Sequence, residues 1–204
     1  GDYASLLNIE DGAGFRLGKA STDKLTQTIG ALVTKETDSA KRAAVALNSG
    51  TLTIKPVDVE AAHSVIAAAD TLTGIEDSKL VLSGGTLEVI GDQAGFAGTA
   101  ELQAESRTTI FAGKGLGTNK IEMKGSAALD ISLDTTSDDT FILAAKANST
   151  EDGEAVINVL GNEKADLKKF AFGSWQSDHD FKGTLKLSNV GYDWHEDLLS
   201  FARL

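Results

Sequence analysis

Lys79-Leu80-Val81-Leu82-Ser83-Gly84-Gly85-Thr86-Leu87-Glu88-Val89-Ile90 sets two short alternating runs on either side of a glycine pair. Leucine or valine falls at every second place in each run, as a half-buried strand requires. Leu80, Leu82, Leu87 and Val89 can therefore share one interior. Gly84-Gly85 is compatible with two architectures: the corner of a solenoid coil, or the two-residue loop of an antiparallel hairpin inside a β-sandwich.

The same grammar recurs outward from this stretch. Ala43 to Leu47, then Asn48-Ser49-Gly50, then Thr51-Leu52-Thr53-Ile54 repeats the strand, turn, strand order. Ile121-Glu122-Met123, Ala128 to Leu133, Phe141-Ile142-Leu143 and Ala155 to Leu160 continue it at spacings of about ten residues, the rhythm of an all-β chain. Asp152-Gly153 marks a turn before the last of these. Glycine numbers 21 of 204 residues and proline only 1, where average usage would give roughly ten. Glycine therefore makes the turns, and strands paired on both edges keep the N–H that proline lacks. Two segments also fit a helical face: Leu25, Ile29, Leu32 and Val33, and, after Pro56, Val57, Ala61, Val65, Ile66 and Ala69. Each is equally compatible with strand plus loop.

Internal similarity favours the solenoid over the sandwich. Gly95-Phe96-Ala97-Gly98-Thr99-Ala100-Glu101-Leu102 returns as Asp180-Phe181-Lys182-Gly183-Thr184-Leu185-Lys186-Leu187, a shared F-x-G-T-x-x-L. Shorter forms stand at Ser49 to Ile54 and Gly84 to Val89. Repetition of a turn-plus-strand unit with no helix between strands points to coils stacked on one another. In such a unit glycine turns the corner, threonine opens the strand and alternate aliphatic residues fill the interior. Coils of about 20 to 25 residues stacked at ~4.8 Å would make a rod on the order of 40 Å long.

Composition narrows the function. With 19 Lys+Arg against 30 Asp+Glu the formal charge is −11, which argues against nucleic acid or an anionic membrane as partner, since phosphate neutralisation needs a basic surface. No stretch approaches the ~18 apolar residues that span a bilayer. The cysteine count of 0 removes disulfides, thiolate zinc sites and thiol nucleophiles. A start at Gly1 and an end at Leu204 in an apolar run give the expectation of a segment excised from a longer protein.

Leu-Ser-Gly-Gly-Thr-Leu-Glu-Val at 82 to 89, Phe-Ala-Gly-Thr at 96 to 99 and Phe-Lys-Gly-Thr-Leu-Lys-Leu-Ser-Asn at 181 to 189 resemble the repeat style of Gram-negative autotransporter passenger domains, the pertactin-like right-handed β-helices. The resemblance covers about residues 40 to 190. It implies an all-β chain folded as a right-handed parallel β-helix over residues 1–204, with a possible C-terminal cap over 170–204. It further implies display at the bacterial cell surface, tethering to the outer membrane through a parent barrel absent from this sequence, and a role as stalk and adhesin segment. The implied partners are a host-cell or matrix surface component, or other passengers by self-association. Freedom from cysteine suits such a family, because a periplasmic disulfide could jam translocation.

Chemical motifs are few. His179, in Ser177-Asp178-His179-Asp180, could ligate a metal or orient a base, but no second histidine lies at ligand spacing, so a solvated loop fits better. His195, in Trp194-His195-Glu196-Asp197, lacks the H-E-x-x-H spacing; the remaining histidine is His63. Asp134, Asp138 and Asp139 could offer calcium three carboxylates, yet the Gly-Gly-x-Gly-x-Asp repeat is missing and a solvated loop is again the simpler account. Gly12, Gly14 and Gly18, and Gly113, Gly115 and Gly117, superficially resemble dinucleotide loops but lack the following helix. No Gly-Asp-Ser-Gly nucleophile turn occurs. Asn148-Ser149-Thr150 matches a glycosylation sequon by pattern alone. Trp175, Tyr192 and Trp194 gather near Phe170, Phe172 and Phe181. They could form a sugar platform with Asp178 and Asp180, or cap the last coil, which the need to cover an open end favours. The expectation is accordingly no enzyme, with no catalytic residue, cofactor or metal. The alternative is a polysaccharide lyase or hydrolase using paired carboxylates on the same architecture.

Overall fold

The computed structural model describes residues 5–20, 22–60, 62–111, 116, 120–132, 141–143, 146–149, 154–160, 170–172 and 183–188. Within them the chain forms nineteen short strands and no helix. In chain order these are β1 (Leu6–Ile9), β2 (Gly14–Arg16), β3 (Thr26–Ile29), β4 (Ala31–Thr34), β5 (Ala44–Ala46), β6 (Thr51–Ile54), β7 (His63–Ile66), β8 (Leu72–Thr73), β9 (Lys79–Leu82), β10 (Gly85–Val89), β11 (Thr99–Leu102), β12 (Ser106–Phe111), β13 (Lys120–Met123), β14 (Ala128–Ser132), β15 (Phe141–Leu143), β16 (Lys146–Ser149), β17 (Val156–Leu160), β18 (Phe170–Phe172) and β19 (Thr184–Ser188).

Every pairing among these strands is parallel, and none joins sequence neighbours. The longest sheet orders β1-β4-β7-β10-β12-β14-β17-β19, the second β16-β13-β11-β9-β6-β3, and a third face carries β2-β5-β8, with β15-β18 as a separate pair. The chain is thus a parallel β-solenoid that visits the long sheet, the third face and the second sheet in turn before stepping along the axis. Eight strands at ~4.8 Å extend the long sheet over about 34 Å. The antiparallel sandwich is excluded by these pairings. Gly84 and Gly85, at φ 87° and 74°, turn the chain from one sheet into another. Strand β9 pairs with β6 and β11, whereas β10 pairs with β7 and β12.

The register stacks like on like. One interior column of the long sheet runs Ile9, Thr34, Ile66, Val89, Ile110, Ile131, Val159 along the axis. Its neighbour runs Leu7, Leu32, Ser64, Leu87, Thr108, Leu129, Ile157. Leu80, Leu82, Leu87 and Val89 all lie in one continuous core, as their alternation requires. Burying each such side chain stabilises the fold by roughly 1.5–3 kcal/mol relative to leaving it in water.

Coil length varies and the strands do not. Along the long sheet, paired positions step from Leu6 to Ala31, Val33 to Val65, His63 to Thr86, Gly85 to Ser106, Arg107 to Ala128, Ala128 to Val156 and Val156 to Thr184. Several of these steps exceed the 20 to 25 residues expected from sequence, and corners absorb the difference. Gly30 alone joins β3 to β4, while residues 55–62 make the equivalent connection from β6 to β7.

Both helical faces are replaced by strands. Residues 25–33 split at Gly30 into β3 and β4, each with parallel partners. In the second segment only His63–Ile66 is regular, and Val57, which a helix would have buried with Ile66, is 82% exposed. Parallel backbone pairing, on both edges of β4 and β7 and on one edge of β3, outweighs the weak local periodicity. The F-x-G-T repeat is also corrected. Thr99 opens β11 in the second sheet and Thr184 opens β19 in the long sheet, so the repeat marks a glycine corner entering either sheet and does not count coils.

Candidate functional surface

The long sheet presents two outward columns. One carries His63, Thr86, Arg107, Ala128, Val156 and Thr184 in register; the other carries Val65, Glu88, Thr109, Asp130, Asn158 and Lys186. His63 Nδ1 lies 2.9 Å from Thr86 Oγ1 and its Nε2 3.6 Å from Glu88 Oε2, an exposed pair across one coil step. Arg107 donates to Asp130 from both Nε and Nη2, the latter at 3.1 Å to Oδ1. Asn158 Nδ2 donates to the same Oδ1 at 2.6 Å. Asp130 thus receives one partner from the coil before and one from the coil after, and although it points outward it is only 3% exposed.

The second sheet holds a matching group. Glu101 lies between Val81 and Glu122 in its column and is 5% exposed. Lys79 Nζ reaches its Oε2 at 3.0 Å, Lys124 Nζ reaches Oε1 at 2.8 Å, and Gln103 Nε2 donates to Oε1 at 2.7 Å. Burial by itself would push the Glu101 carboxyl up. Hydrogen bonds from Lys124, Gln103 and Lys79, with the Lys79 charge, outweigh that and bring it down to about 2. A carboxylate so firmly ionised has no proton to give near neutral pH and is a weak base, so the group suits structure better than acid–base chemistry.

Of the residues singled out in the sequence, His63 stands at the start of β7 in the pair with Glu88. Gly12 and Gly18 adopt φ 73° and 82°, the left-handed turn positions that glycine favours, and Gly14 opens β2. Asp134, Asp138, Asp139, Trp175, Asp178, His179, Asp180, Phe181, Tyr192, Trp194, His195, Gly113, Gly115, Gly117, Thr150 and the Asp152-Gly153 turn lie outside the described residues. The expected cap over 170–204 lies mostly outside them too. Among the described residues no three His, Asp or Glu side chains are placed to hold a metal, and no helix is long and apolar enough to cross a membrane.

Sequence reasoning missed Glu101, Asp130 and Gln93. Gln93 is fully buried; its Oε1 accepts from Leu72 N at 2.7 Å and its Nε2 donates to Ala68 O and Gly91 O at 2.7 Å, tying one corner to the preceding coil. Nothing local distinguishes these three from other polar residues, because their partners lie 21 to 28 positions away except within the Gln93 and Gln103 turns. No protein-family model matches the chain, nor does any curated protein or solved structure.

Proposed function

We propose that this chain is a structural stalk segment of a bacterial surface autotransporter, a passenger of the right-handed β-helix type that spaces and presents adhesive contacts and has no catalysis of its own. The observation that carries the proposal is the long sheet: eight parallel strands joined edge to edge, with the outward charges of His63 and Glu88 and of Arg107 and Asp130 paired between adjacent coils. Such a sheet resists bending and exposes no free edge along its length. A host-cell or matrix component, or a second passenger, would meet the corners and outward columns.

The test grafts residues 1–204 between a secretion signal and an autotransporter barrel. The chain should then appear on intact cells, accessible to added protease, and increase adhesion to matrix-coated surfaces without turning over a polysaccharide panel. Failure to reach the surface would remove the secretion assignment. Polysaccharide turnover that vanishes in Asp178→Asn or Asp180→Asn would replace the stalk with an enzyme.

A further inference from the structure

We infer that Asp11 is a latent modification site: its linkage to Gly12 isomerises to isoaspartate when the first coil lifts off the second, and the stacked corners suppress that reaction. The inference is independent of what the rod displays.

The first coil, β1 to β3, passes from β1 into β2 through residues 10–13, and the second, β4 to β6, makes the equivalent connection through residues 35–43. Asp-Gly occurs twice in the sequence, at Asp11-Gly12 and Asp152-Gly153. The pair is open to this chemistry because glycine has no side chain to shield its amide nitrogen. Gly12 N attacks the Asp11 carboxyl carbon; a C–N bond forms and the C–O bond breaks, water leaving with the amide proton, to give a five-membered succinimide. Water then opens the ring at either carbonyl. One opening returns aspartate, the other leaves isoaspartate, whose backbone runs through the former side chain. Water is the only co-reactant.

The step needs a free nitrogen, an un-ionised carboxyl and a rotated backbone, and the corner withholds all three. Gly12 N donates to Lys41 O at 3.2 Å. Asp11 Oδ1 accepts from Thr37 N at 2.7 Å and from Asp38 N at 3.4 Å, and Oδ2 accepts from the Thr37 hydroxyl. That hydroxyl, and after it the Thr37 amide, holds the carboxyl below its usual range, and a carboxylate is a poorer electrophile than the acid. Ala13 N donates to Glu10 O at 2.9 Å, closing a turn in which Gly12 has φ 73° and Asp11 keeps a negative φ, the type II pattern. A type II turn sets Asp11 at ψ ~120°, and ring closure needs ψ of the opposite sign.

Two of these three restraints come from the second coil. Among the described residues β1, β2 and β3 each pair on one edge only, with β4, β5 and β6, so a single lifting event frees the nitrogen and the carboxyl together. Isoaspartate then adds one carbon to the backbone and moves the carboxylate onto Cα, away from Thr37. The corner cannot restack as before, and fraying leaves a permanent mark.

The test ages the full chain near neutral pH beside a blocked peptide of residues 9–15, with isoaspartate counted by methyltransferase labelling and located by peptide mapping. Asp11 in the folded chain should convert more than about tenfold more slowly than in the peptide, because the rate follows the open fraction. Thr37 is exposed, so its replacement leaves the core alone. Thr37→Val should speed conversion at Asp11 several-fold and leave Asp152 unchanged, while Thr37→Ser, which keeps the hydroxyl, should hold the parent rate. Conversion of Asp11 in the folded parent as fast as in the peptide would overturn the inference. So would equal rates at Asp11 in the valine and serine variants.

Discussion

The coils before β9 and those after it are tied together by different means. In the first coils, inter-coil side-chain bonds run to neutral partners. Asn48 Nδ2 donates to Leu17 O and Gly18 O, each at 3.0 Å, Ser64 Oγ accepts from Leu32 N at 3.1 Å, and Asp11 Oδ1 accepts from Thr37 N at 2.7 Å. Ion pairs there, such as Lys24 with Asp77 and Arg42 with Asp70, are exposed at both ends. From β9 onward Glu101 and Asp130, carboxylates almost closed to water, add charged ties to neutral ones such as those of Gln93 and Ser126. Coil length does not follow that divide: the steps from Leu6 to Ala31 and from Val33 to Val65 are unequal, and those from Gly85 to Ser106 and Arg107 to Ala128 are shorter than those from Ala128 to Val156 and Val156 to Thr184.

The core should not share in that difference. Leu32 and Leu87 occupy one interior column on either side of the divide, and both are fully buried. Leu32→Ala and Leu87→Ala should each cost ~2–5 kcal/mol, seen as matched losses in urea midpoint. A Leu87 loss several times the Leu32 loss would mean that the halves differ in packing as well as in charge.

Removing the cations of the Glu101 cluster should expose the contrast next. Lys79→Met with Lys124→Met leaves the Glu101 carboxylate with its Gln103 hydrogen bond and with Glu122 beside it in the column. Because both lysines are more than a third exposed, the cost should fall below the usual value for a broken buried pair, at about 2 kcal/mol. The cluster also sets an acid limb. The Glu101 carboxyl titrates near 2 in the folded chain and at an ordinary higher value when unfolded, so its contribution is fully present above about pH 4.5. It is lost as pH falls towards 2. Melting temperature measured down this range should decline less steeply in Glu101→Gln than in the parent; parallel curves would remove Glu101 as the source.

Smallest of all should be the loss of a neutral tie. Asn48 has φ 53°, which glycine tolerates, so Asn48→Gly deletes its two hydrogen bonds without adding backbone strain. About 1 kcal/mol is expected. Hydrogen exchange should localise the change to the amides of the first coils, with those of β12 and β14 unaffected.

The strands were legible in the sequence because alternation is local. Lys79 to Leu82 and Gly85 to Val89 could be placed before any partner was known. The Gly84-Gly85 pair could not choose between solenoid and hairpin by itself, since a tight hairpin loop needs the same two positive φ values that the corner shows. Pairing over more than twenty residues decides that question. The same holds for Glu101, which reads as an ordinary outward residue until Lys79 and Lys124 are brought beside it. The segments at 25–33 and 57–69 stayed open between helix and strand plus loop for the same reason: their local patterns fit both, and pairing at a distance selects the strands.

The corners carry a practical consequence. One glycine suffices between β3 and β4, yet eight residues pass between β6 and β7 while the register on either side stays intact. The cross-section is therefore indifferent to what is spliced into that corner. Foreign peptides inserted there could be presented at fixed heights along the axis without re-engineering the ladder, which turns the rod into a ruled rail for spacing epitopes.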